Sequence, residues 1–212
     1  MIKNTDEKPQ GVSKLGAILS SDWQSYTWKN ELAEQKDRIS RHLEEIFTGT
    51  ETEHNPLHMI ERSVGVAALC MRRLLECRLI TDRFRDSQLK VHCISRKAGN
   101  PWREPFISST GNEIFGNYDL TGRRPDSQSP KSISDKLLHA RVIAIVIGST
   151  YMPNGLLVAS DKQHKHTLFH FRPSEFSELL ERFLNDFIRA QSDGFLRIDG
   201  KIQIDRVYAT RD

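Results

Sequence analysis

Apolar residues recur at three- and four-residue steps through much of the first half of the chain, a spacing that buries one face of an α-helix. One series runs from Trp28 to Ile46 and stops before Gly49. A second follows Asn55 and Pro56, which suit the N-cap and first position of a helix. The pattern predicts two helices, and small residues in the second favour their packing as an antiparallel hairpin.

The second half has short β-branched or apolar runs separated by turn residues, a pattern typical of strands. Strands are predicted at 142–147, 156–160 and 164–171, and a hairpin is predicted around Asp199 and Gly200. A periodic apolar series from Pro173 predicts one long amphipathic helix. We therefore predict an α+β fold, in which the N-terminal helical hairpin packs with a C-terminal antiparallel sheet and this helix.

Two segments depart from these patterns. Residues 1–20 are mostly polar at their start and are predicted to form a flexible N-terminal arm. Residues 98–135 contain four of the 12 glycines and four of the 8 prolines, and we predict an irregular, loop-rich middle there. Within it, residues 121–131 are expected to be exposed and mobile. The remainder, 21–212, is predicted to be a single α+β domain.

Composition narrows the class of protein. The 212 residues carry a formal net charge of +3, a mild basic bias compared with dedicated nucleic-acid binders. No apolar stretch is long enough to span a membrane, so no membrane partner is expected. The three cysteines lack CxxC spacing, which favours a reduced, cytoplasmic protein over a disulfide framework or a zinc site.

A run of histidines is the most distinctive local feature. If residues 164–171 form a strand, His164, His166 and His170 share one face with Leu168, and the phenylalanines between them mark the other face as the core. Imidazoles on an exposed strand face can bind a metal, contact phosphates or transfer protons. A plain solvated surface or a subunit contact explains the same pattern.

Basic residues beside an aromatic side chain form a second candidate site. Base stacking on an aromatic ring next to cations is a known mode of nucleic-acid binding. Acidic residues interleave with many of these cations, so a solvated face of ion pairs is the alternative. The candidate nucleic-acid-binding residues are Arg72, Arg73, Arg96, Lys97, Trp102, Arg103, Arg123 and Arg124.

Arg85 and His92 are separated by six residues. This spacing is similar to the arginine–histidine pattern of the HEPN ribonucleases, in which the pair acts on an RNA phosphate. The similarity covers eight residues, and it implies a helical bundle, whereas the second half of this chain is predicted to be β-rich. We therefore infer no family membership. A histidine beside an arginine can still exchange a proton and stabilise phosphate charge.

These patterns support three hypotheses of function. The leading one is a cytoplasmic nucleic-acid-associated protein, with RNA or DNA as partner and with nuclease activity as an extension. Its candidate catalytic residues are Arg85, His92, His164 and His166. The alternative is a non-enzymatic interaction protein that forms a homo-oligomer. A weaker one is a metal-dependent hydrolase using His164 and His166. No P-loop or GxGxxG motif follows a strand, so no cofactor is predicted.

Overall fold

A computed structural model describes residues 12–13, 16–17, 25–50, 53–102, 116–148, 152–188, 190–198 and 201–209. The first two and the last two of these ranges are described as backbone only. Together the ranges contain five α-helices and nine β-strands. In chain order the elements are β1 (Val12–Ser13), β2 (Gly16–Ala17), α1 (Ser25–Thr48), α2 (Pro56–Glu76), α3 (Asp82–Arg85), β3 (Leu89–Ser95), β4 (Arg124–Gln128), α4 (Pro130–Leu138), β5 (Ala140–Val146), β6 (Gly155–Ser160), β7 (Thr167–Phe171), α5 (Pro173–Leu184), β8 (Ala190–Ile198) and β9 (Lys201–Ala209).

Helices α1 and α2 form the antiparallel hairpin that the periodicity predicts. Gly49 follows α1 with φ of 67°, and the N–H groups of Gly49 and Thr50 donate to the carbonyls of Ile46 and Glu45. This left-handed termination satisfies carbonyls that a helix end leaves unpaired. The Asn55 side chain accepts a hydrogen bond from the Leu57 N–H at 3.0 Å and so caps α2.

Five strands form an antiparallel sheet in the order β4-β3-β7-β6-β5. Strand β7 lies at the centre, with Phe169 opposite Cys93 of β3 and opposite Val158 of β6. Strands β8 and β9 form a separate hairpin, and β1 pairs with β2. The α+β fold class is therefore confirmed, with the helical hairpin at its N-terminal side.

Both faces of the five-stranded sheet are covered. On one face, Val91, Cys93, Val158, Phe169 and Phe171 join the core contributed by the helices. The opposite face carries a second apolar cluster, whose fully buried members include Ile94, Tyr118, Met152, Leu157 and Leu168. Alternating side chains explain this division, because successive residues of a strand point to opposite faces.

The histidine run differs from its prediction. Strand β7 begins at Thr167, so His164 and His166 precede it and lie in turns. Phe169 and Phe171 do mark a core face, as expected. His170, on the other face, is 0% exposed rather than solvated, because the second apolar cluster covers that face. The three imidazoles therefore do not share a strand face.

The segment expected to be an exposed loop, 121–131, instead contains β4 and the start of α4. Strand β4 has the sequence RPDSQ and is recognisable only by its pairing with β3, from Leu89↔Gln128 to Cys93↔Arg124. Strand β3 also lies outside the strands that the pattern predicts. Among the described helices, none is both long and apolar enough to cross a membrane.

Candidate functional site

Arg123 and Arg124 are adjacent in sequence but serve opposite faces of the sheet. Arg124 begins β4, and its Nε donates to the Cys93 Sγ at 3.4 Å on the face covered by the helices. Arg123 donates through its Nε to the His170 Nδ1 at 2.8 Å on the other face. The alternation of an extended chain produces this divergence. Two polar sites result, one on each face.

The first site is a cleft between β4, β7 and α4, which we call the Arg124–Lys136 cleft. Its cavity volume is about 400 Å³. Its lining residues are Cys93, Arg124, Pro125, Asp126, Gln128, Lys136, Gln163, Thr167 and Phe169. Most of these side chains are polar or charged, and Pro125 and Phe169 supply apolar surface, so the cleft suits a polar ligand.

Lys136 is held in place at the floor of this cleft. Its ammonium donates to the Ser132 Oγ at 2.9 Å and to the Gln128 amide oxygen. It also lies 4.6 Å from the centroid of the Phe169 ring, within cation–π range. Burial lowers the pKa of Lys136, and the carboxylate of Asp126 partly opposes that change. The ammonium is thus ordered by neutral partners.

Neither cation of the cleft has an acidic partner within 4 Å in the described part of the chain. The Asp126 carboxylate accepts instead from the Ser127 N–H at 2.9 Å and the Gln128 amide at 2.8 Å. Arg124 is exposed and Lys136 is partly buried, and the Asp126 carboxylate acts on both cations without forming an ion pair with either. Two cations and one carboxylate therefore leave an excess positive charge in the concave site. An anionic ligand would compensate it.

A second cleft of about 370 Å³ adjoins the first, because both are lined by Lys136 and Gln163. It adds Arg72, His139 and Lys162 to the polar surface. Arg72 is compensated there, since it pairs with Glu76 at 2.6 Å and with Asp135 at 2.8 Å. Lys162 is exposed in this second cleft and forms no ion pair within the described ranges, so cations without ion pairs line both clefts.

The site on the other face is a group of four side chains, which we call the His92–Glu175 cluster: His92, Arg123, His170 and Glu175. The Arg123 guanidinium donates to both Glu175 carboxylate oxygens, at 2.8 and 2.6 Å. The His92 Nδ1 lies 3.4 Å from the Glu175 Oε1. Glu175 also accepts from the Arg172 N–H at 2.9 Å, and so helps to cap α5.

The electrostatics of this cluster favour neutral imidazoles and an ionised carboxylate. Burial and the nearby Arg123 charge lower the pKa of His170 to about 4, and the same two causes lower that of His92, although Glu175 opposes the change. Burial alone would raise the pKa of Glu175. Hydrogen bonds from Arg123 and Arg172 outweigh that effect, so the pKa is lowered.

His92 and Glu175 are the members of the cluster that solvent reaches most, and the Glu175 side chain is 28% exposed. The His92 side chain is 30% exposed, against 15% for Arg123, and it lines a cavity of about 210 Å³ with Lys90, Glu175 and Arg182. A neutral imidazole close to a carboxylate can act as a general base. His170 is fully buried, and its Nε2 makes no well-formed hydrogen bond to a described residue, although the Pro153 carbonyl favours its protonated form.

The other candidate catalytic residues lie elsewhere. Arg85 ends α3 and pairs with Asp82 at 2.8 Å and Asp86 at 3.2 Å, whereas His92 is in a strand, so the two do not share a helix. His164 is buried, with its Nδ1 2.6 Å from the Asp161 carbonyl oxygen, while His166 is exposed. In the part of the chain that the structure describes, no group of three or more His, Cys, Asp or Glu is arranged to hold a metal ion.

The candidate nucleic-acid-binding residues are distributed over several surfaces. Arg73 lies 5.4 Å from the ring centroid of Trp28. Arg96 lies 5.9 Å from that of Trp102, whose ring also meets Tyr118 and His164 edge-on and is half-buried. Lys97 is exposed, and Arg103 lies outside the described residues. Of the described members of this set, only Arg124 lines the Arg124–Lys136 cleft.

Two residues of these sites are not indicated by the sequence pattern. Lys136 belongs to a helix that starts at Pro130 after the capping Ser129, a start signal that the sequence contains, but nothing in it indicates a cleft. Glu175 stands at the third position of a helix that opens with Pro173, which is the spacing of a capping residue. Its second role, as partner of Arg123, depends on the fold.

Comparisons with known proteins identify no family for this chain, so the proposed function rests on the geometry of the two sites. No protein-family model matches the chain, and neither the curated proteins nor the solved structures contain a match to it.

Proposed function

We propose that this protein is nucleic-acid-associated and holds a phosphate of RNA or DNA in the Arg124–Lys136 cleft. The observation that carries the proposal is the pair of cations in this cleft, which have no carboxylate partner within 4 Å among the described residues. Phosphate oxygens are strong acceptors for guanidinium and ammonium groups. Such contacts position a nucleic acid whatever its sequence.

Further polar groups converge on the same place. The Gln163 amide and the Thr167 hydroxyl line the cleft, and neither side chain makes a hydrogen bond within the described ranges. Groups of this kind can reach sugar hydroxyls or base edges next to the phosphate. The cleft thus offers two charged donors and two neutral hydrogen-bonding groups to one ligand.

The cytoplasm is the compartment that we propose for this function. Cys70, Cys77 and Cys93 are all free thiols, and burial raises the pKa of Cys70 to about 12. A reducing compartment preserves such thiols.

The test is binding of a labelled single-stranded RNA and a duplex DNA across a salt series, with the variants Arg124→Gln and Lys136→Gln. We expect micromolar or tighter binding that weakens with salt, and a slope of log affinity against log salt that falls by about one for each variant. Lys131→Gln is the matched control, because Lys131 is on the same helix, 63% exposed, and paired with Asp135. Unchanged affinity in both cleft variants, or no binding at low salt, would refute the proposal.

Phosphodiester cleavage at the His92–Glu175 cluster is a second candidate function. It is favoured by the 3.4 Å approach of the His92 Nδ1 to Glu175 beside a solvent-reached cavity. With the Nδ1–H donating to the carboxylate, the His92 Nε2 can accept a proton from an attacking hydroxyl. RNA should then be cleaved in the presence of EDTA by the wild type and by the His58→Gln variant, but not by His92→Gln. Equal cleavage by all three proteins would exclude His92.

A further inference from the structure

We propose that two copies of this chain associate through β5, so that the strand pairs antiparallel with the same strand of the other copy and the two sheets become one. The five-stranded sheet ends in two edges, β4 and β5, because the strand order is β4-β3-β7-β6-β5. A strand at an edge has backbone N–H and C=O groups without a neighbouring strand, and a further strand can add there. This interaction surface lies beyond the proposed function and does not depend on it.

The two edge strands differ in the features that oppose such addition. Strand β4 has five residues, RPDSQ, and contains a proline and two charged side chains, which are features that commonly prevent pairing between sheet edges. Strand β5 has seven residues, ARVIAIV, of which only Arg141 is charged. Its register to β6 shifts only near its start, between Ala140 and Val142. From Val142 onwards, β5 therefore has none of the features that protect β4.

The outer edge of β5 also has no partner strand among the described residues. Strand β5 pairs with β6, and residues 142–147 make no other backbone hydrogen bond to a described residue. The strand is followed directly by Ile147, whose side chain is 64% exposed. The apolar character of the edge therefore continues beyond the end of the strand.

The faces of β5 indicate what kind of strand fits beside it. Ile143 and Ile145 pack against the core formed with the helices, whereas Val142 and Val146 belong to the cluster on the opposite face. An added strand would extend both cores, so it should be apolar on both faces, and a strand of alternating polarity would place polar side chains beside one core. Strand β5 and the residue after it are apolar at every position from 142 to 147. A second copy of this chain therefore supplies a suitable strand.

Symmetry makes this pairing self-complementary. A two-fold axis perpendicular to the sheet relates two antiparallel strands and brings the same surface of each copy together. In a register centred on Ala144, Val142 faces Val146 and Ile143 faces Ile145. The side chains of each face then remain on that face, because this register preserves the alternation of the strand. Both cores continue across the junction.

The distribution of charge favours the antiparallel arrangement. In the register centred on Ala144, Arg141 of each copy lies opposite Ile147 of the other, and the two guanidinium groups are at opposite ends of the junction. A parallel arrangement with the strands level would bring the two Arg141 side chains next to each other, and like charges in that position are destabilising. The charged residue of β5 thus disfavours parallel pairing and does not oppose antiparallel pairing.

The experiment is sedimentation velocity of the full chain over about two decades of concentration, with substitutions at Ile147. We expect a concentration-dependent dimer of twice the 24.4 kDa chain mass. Ile147→Lys places a like charge opposite Arg141 at both ends of the junction, and Ile147→Glu places an opposite charge there. Because position 147 is exposed, both variants should keep the fold, which thermal melting checks. We expect the dissociation constant of Ile147→Lys to exceed that of Ile147→Glu by about tenfold or more.

Leu57→Lys is the matched control, since Leu57 is an apolar residue of α2 that is 50% exposed and lies outside the sheet. This change should leave the dissociation constant as in the wild type, and amide hydrogen exchange at residues 142–147 should slow as the dimer forms. A chain that stays monomeric, with exchange at these residues that does not change with concentration, would overturn the proposal. A dimer that Ile147→Lys and Ile147→Glu affect equally, or that only Leu57→Lys weakens, would also overturn it, because the surface would then lie elsewhere.

Discussion

A single glycine makes room for the buried imidazole of His170. A Cβ added at Gly155 would lie 2.5 Å from the Phe171 carbonyl oxygen and would clash with the His170 Nε2. The contact involves backbone on the neighbouring strand, so a small shift of a side chain does not relieve it. The requirement for glycine at position 155 comes from this close approach between β6 and β7.

Gly155→Ala should accordingly lower the free energy of unfolding by about 1–3 kcal/mol, the usual range for overpacking. Gly65→Ala is the matched control, because a Cβ there meets no heavy atom within 4 Å in the middle of α2. That change should raise the free energy of unfolding by about 0.5–1 kcal/mol. Urea denaturation of both variants measures the contrast, and similar effects in the two would contradict the described packing.

Burial of His170 makes stability depend on pH. Burial and Arg123 lower its pKa from 6.5 to about 4, so between these values the unfolded chain binds a proton that the folded chain does not. The contribution is fully present above pH 6.5 and is lost as the pH falls towards about 4. Its full size is about 3 kcal/mol.

His170→Gln tests this linkage, since glutamine keeps an acceptor for Arg123 but does not titrate. His92, whose pKa is also lowered by burial, acts in the same direction, so the comparison must be between variant and wild type. The wild type should lose more unfolding free energy than the variant between about pH 7 and pH 5. Parallel pH profiles of the two proteins would show that His170 does not cause the loss.

At the scale of elements, Glu175 connects α5 to the edge of the sheet through hydrogen bonds. It caps α5 through the Arg172 N–H and holds Arg123, the residue before β4, by two hydrogen bonds. Its side chain is 28% exposed and that of Arg123 only 15%. Removal of the carboxylate leaves a poorly solvated guanidinium, which is costlier than the loss of an exposed ion pair.

Glu175→Gln should therefore destabilise the protein by about 1–3 kcal/mol. Glu178→Gln, one turn further along α5, removes a carboxylate that is 67% exposed in its pair with Arg182, and should change stability by less than about 0.5 kcal/mol. Chemical denaturation at neutral pH compares them. A loss for Glu178→Gln as large as that for Glu175→Gln would mean that helix charge, and not the Arg123 contact, sets the effect.

An element can be predicted from the sequence when it buries a continuous apolar face. Periodic apolar residues and the Asn55 and Pro56 start signals identify α1 and α2, because each of these helices buries one continuous face. Strand β4 has no aliphatic or aromatic side chain except the ring of Pro125, and only its pairing with β3 makes it a strand. The histidine run has the alternation of a strand throughout, but hydrogen bonds from the His164 and His166 N–H groups to the carbonyls of Ser160 and Gln163 fold its start into turns.

At the scale of the whole molecule, the sites combine segments that are distant in sequence. The Arg124–Lys136 cleft brings together Cys93, Arg124 and Gln163, and the His92–Glu175 cluster joins residues more than eighty positions apart. Sequence patterns identify His92, Arg123 and Arg124 as candidates, but they do not indicate which residues meet. Which candidate residues come into contact depends on the order and register of the strands. Neither can be predicted from this single sequence, because no local motif specifies them.

The positions of the strands in the sheet indicate which strands are most stable against local unfolding. Strands β6 and β7 are paired on both sides and nearly all of their residues are buried, whereas β4 is an edge strand with partly exposed residues. Amide hydrogen exchange should be slowest for β6 and β7 and faster for β4. Exchange measured by NMR or mass spectrometry would contradict this if β4 were protected as strongly as β7.

The opposed orientations of Arg123 and Arg124 constrain the length of the connection that leads into β4. Asp119 anchors this connection by accepting hydrogen bonds from Thr121 and from the Gly122 N–H. Deleting one residue between Asp119 and Arg123 would shift every following side chain of β4 to the other face, which would place Arg124 at the position of Arg123 and Pro125 at the position of Arg124, so that the cleft would lose its guanidinium. Evolution of this chain can therefore replace residues in that connection more readily than it can lengthen or shorten it by one.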